Sequence, residues 1–182
     1  LREDRIAIID NGISRDLISK EKIQSQIVID DNNKCIEDKD EVQITDFPHG
    51  TFCALIIEKY NSHCMLNSVR ILDKNGRGGS NKIEPALEWC YQNNIRVVNL
   101  SFGTTNFHEC EKLKKLVNKY VYSGMILVAA TANSGFVSYP ASFTNVIGVA
   151  TTGSPLSYSK DYMQMGIDTV VPVSYTHLRA HE

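Results

Sequence analysis

Two short stretches of the chain carry side chains able to move protons. Asp10 ends the apolar run "RIAIID" and is followed by Asn11-Gly12, while His49 heads the run "HGTFCALII". A carboxylate that orients an imidazole makes a general base, two thirds of a hydrolytic triad that still needs a nucleophile. Asn133, three residues past "ILVAA", is a further polar position beyond a strand end. Each position also has a plainer reading. Asn11-Gly12 suits a turn, because Asn-Gly reaches positive φ cheaply. His49 after Pro48 suits a polar helix start, and Asn133-Ser134-Gly135 suits another turn.

Other chemistries find less support. The five cysteines (Cys35, Cys53, Cys64, Cys90, Cys110) are an odd number without CxxC spacing. That spacing does not make a zinc site, and one chain cannot pair all five in disulfides. Cys53 and Cys90 sit in apolar helical runs and read as buried free thiols. Unpaired thiols place a cytoplasmic location slightly ahead of a secreted one. His177 and His181, four apart near the end of the chain, are a weak metal signal. No G-x-G-x-x-G follows the first strand, which argues against a dinucleotide-binding dehydrogenase.

The elements that must position Asp10, His49 and Asn133 can be read from apolar spacing. "RIAIID", "SQIVID", "MLNSVRIL", "IRVVNLSFG", "GMILVAAT" and "NVIGVAT" have strand length, and the nearly unbroken "GMILVAAT" suits a strand buried on both faces. His49–Tyr60, Asn81–Asn94 and Phe107–Tyr122 have helical spacing. Ser80 offers an N-cap for the second helix, but Pro85 must lie in the first turn, so the helix is expected to start later than Ser80 suggests. Asp30–Asp46 reads as a solvated polar loop. Alternating strands and helices predict a three-layer α/β fold with a mainly parallel central sheet, whose working residues collect at carboxyl ends of strands.

Composition sets the outer bounds. At 182 residues with 42% hydrophobic side chains, the chain suits one domain with a sizeable core. Nineteen basic against twenty-one acidic residues give a net charge of −2, with no electrostatic case for nucleic acid. The longest apolar run, Met125–Ala130, is too short to span a membrane.

The order of these motifs resembles the subtilisin-like serine peptidases. "IAIIDNGI" is similar to the family's aspartate motif, "HGTFCALII" to its histidine motif, and "VRILDKNGRGGSNKIEPALEWCYQNNIRVVNLSFG" to the segment that ends in Asn-x-Ser-x-Gly. "GMILVAATANSG" with "YPASFTNVIGVAT" resembles the oxyanion-asparagine motif and the Tyr-Pro-Ala stretch after it. The resemblance implies that Asp10 orients His49, that His49 is general base and then acid, and that Asn133 lines the oxyanion hole. It also implies a peptide or protein substrate held between the backbone edges Gly76-Arg77-Gly78 and Ser101-Phe102-Gly103. Arg77 suggests tolerance for acidic residues near the scissile bond. No cofactor is required; structural calcium occurs in the family, but its ligand loops are not matched here. A propeptide in the parent protein is compatible with the resemblance.

Three departures leave the catalytic groups in place: Asn11 for Ser or Thr, Phe52 for a second histidine, and Thr131-Ala132 for Ala-Gly. The fourth removes one. No serine after Asn133 lies in the family's Gly-Thr-Ser-x-Ala pattern. "GIDTVVP" resembles the segment that precedes that pattern, whereas "VSYTHLRAHE" fits no part of the family. The expectation is therefore an incomplete peptidase domain over residues 1–172 and a foreign tail over 173–182, inactive without its nucleophile. The alternative is a non-catalytic module of the same fold that binds peptides or proteins.

Overall fold

The computed structural model describes residues 4–39, 49–132, 137–152 and 169–172. Its backbone forms two compact units, residues 1–101 with 122–127, and residues 102–121 with 128–182. The architecture is the three-layer α/β fold, with strands that are mainly parallel.

In the first unit, β1 (Arg5–Asp10), β2 (Ile23–Ile29), β3 (Cys35–Glu37), β4 (Met65–Arg70) and β5 (Val97–Leu100) lie in the order β3-β2-β4-β1-β5. All neighbours are parallel except β2 and β3, which are antiparallel. The central strand β1 carries Ala7, Ile8 and Ile9 essentially without exposure, as expected of a strand covered on both faces. Helices α1 (His49–Tyr60) and α2 (Ile83–Gln92) belong to this unit. Ala54 of α1 packs with Ile8, Ile13, Ile18 and Leu66, and burial of each of these larger side chains contributes about 1.5–3 kcal/mol. This packing fixes α1 against the end of β1.

The second helix starts later than Ser80, as Pro85 requires: Ser80–Lys82 is a 3-10 turn, Lys82 is the N-cap residue, and Pro85 sits in the first turn, where its missing N–H costs nothing. Ile83 and Leu87 of α2 are buried, whereas Tyr91, four residues further on, is half-exposed beneath the Arg96 guanidinium, 5.5 Å from its ring. The stretch beginning at Asp30 is not only a loop. It turns through Asp30–Lys34 into β3, whose three side chains are all exposed. Asp38, directly after β3, is buried and forms a two-point ion pair with Arg70, at 2.6 and 2.7 Å.

The second unit holds most of α3 (Phe107–Tyr122), the later part of β6 (Ile126–Ala130), and β7 (Ile147–Thr152) and β8 (Thr169–Pro172), the three strands pairing in parallel. Cys110, Leu113, Val117 and Tyr120 are buried along one face of α3, at spacings of three and four. Strand β6 departs from the expected uniform burial, because its exposure alternates and Ile126 is 49% exposed. Tyr139 stacks on Phe143 at 5.1 Å, and Thr104 pairs with Tyr139 in an isolated antiparallel bridge.

Candidate active site

Asp10 is the last residue of β1 and only 2% exposed. Its backbone oxygen accepts the N–H groups of Ile71 (2.9 Å) and Leu72 (3.2 Å), so the strand end cannot swing. Its carboxylate is held from two sides: Oδ1 accepts the Asn11 N–H at 2.7 Å, and Oδ2 lies 2.8 Å from His49 Nδ1. An ionised carboxylate only accepts, so Nδ1 carries a proton and Nε2 is the ring nitrogen left to exchange one elsewhere. The His49 side chain is 55% exposed.

Asn11 and Gly50 form the joint that brings the histidine there. Asn11 Oδ1 accepts the Gly50 N–H at 3.0 Å, capping the first turn of α1 from the loop after β1. A Cβ on Gly50 would come within 2.5 Å of Gly12 O and 3.1 Å of Asp10 Cβ, so α1 approaches β1 more closely than any other residue permits. The buried Thr51 Oγ1 accepts the N–H of Ser14, 37 residues away, at 2.8 Å.

One helical turn further on, Cys53 belongs to the same group. Its Sγ lies 3.7 Å from His49 Nδ1 and 3.3 Å from Ser101 Oγ, which accepts a 2.6 Å hydrogen bond from Asn99 Nδ2. Cys53 is half-buried at the edge of the core and also faces this polar group, unlike Cys90, which is fully buried as expected. The i, i+4 spacing of His49 and Cys53 was visible in the sequence, but the apolar neighbours of Cys53 made it read as core.

The Asp10 hydrogen bond, and after it the Cys53 thiol, raise the His49 pKa from 6.5 to about 10 against the opposing cost of burial. A helix N-terminus by itself disfavours imidazolium. Here the carboxylate at 2.8 Å outweighs that dipole.

The remaining expected residues fall as follows. Gly76, Arg77 and Gly78 lie in an exposed loop after β4, where Asp73 Oδ1 accepts the N–H groups of Asn75 and Arg77, both at 2.9 Å. Those two bonds hold the Asp73 carboxyl below its ordinary range, the Arg77 bond contributing most. Gly78 is required by its own chain: a Cβ there would strike Ile71 O and Leu72 Cδ2. Ser101 follows β5 and bonds to Cys53 and Asn99; Phe102 and Gly103 open the second unit. Asn133 lies outside the described residues, as does the tail at 173–182. Before Asn133, Thr131 N–H donates to Val149 O and Ala132 N–H to Ser138 Oγ, both at 2.9 Å. Among the described residues, the one group of three potential metal-ligating side chains is Asp10, His49 and Cys53. Its nitrogen and sulfur donors do not suit calcium, which takes oxygen ligands.

A parallel-sheet α/β fold that sets an aspartate-held histidine at a strand end defines a hydrolase-like scaffold. The chain belongs to the subtilase family, a family of serine peptidases whose model matches residues 3–173. It is 32% identical over 161 residues to the Minor extracellular protease Epr of Bacillus subtilis, covering 81% of this chain and 23% of that protein. It is 33% identical over 138 residues to Subtilisin BL of Lederbergia lenta, covering 68% and 50%. A third relative is the Thermostable alkaline protease of Halalkalibacterium halodurans, 30% identical over 162 residues and covering 80% and 40%. The chain thus spans between about a quarter and a half of these relatives.

The fold is also that of the psychrophilic subtilisin-like protease Apa1 from Pseudoalteromonas sp. AS-11, with a TM-score of 0.67 at 22% identity over 93% of this chain and 41% of that one. The preference for a cytoplasmic location is overturned by these relatives, one of which is named as extracellular. The physical basis of that preference was weak. Cys64, Cys90 and Cys110 are buried in the protein, and thiols shielded this way need no reducing compartment.

Proposed function

We propose that the protein to which this chain belongs is a serine endopeptidase that cleaves peptide bonds in protein substrates through Asp10, His49 and a serine outside these 182 residues. The observation that carries this reading is the 2.8 Å contact between His49 Nδ1 and Asp10 Oδ2. It fixes the Nδ1 proton towards the carboxylate, so that Nε2, on a half-exposed ring, is the nitrogen that acts as base once the imidazolium has lost its proton. In this reading His49 takes the serine proton and returns it to the leaving amine, while Asp10 stabilises the imidazolium between the two steps. Asn133 donates its amide to the oxyanion. Substrate backbone runs along Gly76–Gly78 and Ser101–Gly103 by strand addition, which favours breadth over side-chain selectivity. Arg77, exposed on the first of these edges, gives tolerance for acidic residues near the scissile bond.

The 182 residues hold no Gly-Thr-Ser-x-Ala segment, so this chain alone should form no acyl-enzyme. A fluorophosphonate probe tests both halves. The 182-residue chain is expected to stay unlabelled. A longer chain from the same gene is expected to label at one serine and to lose labelling in His49→Ala. A longer chain with no reactive serine would identify a binding module instead.

A further inference from the structure

We propose that Asp10, His49 and Cys53 form a binding site for a thiophilic divalent cation of the zinc type, one that competes with the Asp10–His49 hydrogen bond. The three donor atoms lie within 4.8 Å of one another, with Nδ1 to Oδ2 at 2.8 Å and Nδ1 to Sγ at 3.7 Å. Zinc bonds of about 2.0–2.2 Å to N and O and about 2.3 Å to S, at tetrahedral angles, put donors roughly 3.4–3.6 Å apart. The nitrogen–sulfur distance already meets this closely. The nitrogen–oxygen pair must open by about half an ångström, a side-chain adjustment. Two ligands come from successive turns of one helix, as i, i+4 spacing provides, and the third from the end of β1.

The surroundings support the thiolate that such an ion requires. Ser101 Oγ already accepts a hydrogen bond from Asn99, so its own hydrogen is free to donate to Cys53 Sγ at 3.3 Å. That is an outer-shell partner of the kind that orients metal ligands. The His49 ring is half-exposed, and water would complete the tetrahedron as fourth ligand. Binding displaces the Nδ1 proton and the thiol proton to solvent. The mixed S/N/O donor set selects zinc-like ions over calcium or magnesium.

The site itself does not depend on the proteolytic reading; only its inhibitory consequence does. The test therefore reads binding. Zn2+ titration of the 182-residue chain by calorimetry is expected to give one ion per chain. Cys53→Ser should weaken binding by at least about 100-fold and Asp10→Asn by at least about 10-fold, whereas Cys35→Ser, altering the exposed thiol, should leave it unchanged. In the unmodified chain, Zn2+ should slow alkylation of Cys53 but not of Cys35, a readout that needs no variant. No saturable binding, binding that survives Cys53→Ser, or an unchanged alkylation rate at Cys53 would overturn the site.

Discussion

Asp10 grips His49 through one carboxylate oxygen while its other oxygen is held by the Asn11 N–H next to it, at 2.8 and 2.7 Å. The carboxylate is thus held by a contact that does not involve the histidine, and the ring that it orients remains half-exposed. Removing the charge while keeping the shape separates the two contributions. In Asp10→Asn, the His49 pKa is expected to fall by at least about one unit, read by NMR in metal-free buffer and assigned by loss of the signal in His49→Gln. Equal titration in both chains would mean that the carboxylate does not control the imidazole.

The same shift has a stability consequence whose sign is fixed. The folded pKa of His49 is raised above its unfolded value, so the stabilisation is complete below about 6.5 and disappears as pH rises through about 10. The thermal midpoint of the chain should therefore exceed that of Asp10→Asn most at pH 6, and the gap should close towards pH 10.5. The exposure of the ring keeps the effect modest through solvent screening.

Catalysis by a longer chain would follow the opposite trend. A base held protonated up to about 10 acts in a growing fraction of molecules as pH rises. Its kcat/KM is expected to climb from pH 7 into the alkaline range, and Cys53→Ala, which removes the second cause of the shift, should move the rise to lower pH. A profile flat above pH 7 would contradict this.

Gly50 tests the joint between strand and helix. Placing a Cβ 2.5 Å from Gly12 O forces α1 away from β1, so Gly50→Ala should cost about 1–3 kcal/mol in urea unfolding. It should also lower the His49 pKa, because the helix carries the ring with it. Asn11→Ala, which removes only the cap, should cost about 1 kcal/mol.

How far these relationships were legible differs from residue to residue. Helices α1 and α3 and strand β1 were readable because each repeats one apolar spacing along its whole length. Asp10 and His49 were readable as a pair because both stand in extended local motifs. Strand β3 was not, since all three of its side chains are exposed and only backbone pairing with β2 defines it. Cys53 was misread because its immediate neighbours are apolar, while the atoms that give it chemistry, Ser101 Oγ and His49 Nδ1, come from different distances along the chain. Asn11 looked like a turn residue, and its capping of α1 depends on a contact 39 residues away.

Asp38 is the extreme case, an acid in a charged stretch that folding buries. Its side chain is 5% exposed and its partner Arg70 23%, and both carboxylate oxygens are engaged. The pair ties the chain after β3 to the end of β4, where Arg70 is the register partner of Asp10. Truncating one member leaves the other charge poorly solvated. Asp38→Ala should therefore destabilise the chain by about 3 kcal/mol in urea unfolding. Replacing both, as Asp38→Leu with Arg70→Met, should recover most of that loss, because two apolar side chains in contact need no compensating charge. If the double variant is no more stable than Asp38→Ala, the pair does more than neutralise itself, and Arg70 must be holding the strand end that carries Asp10.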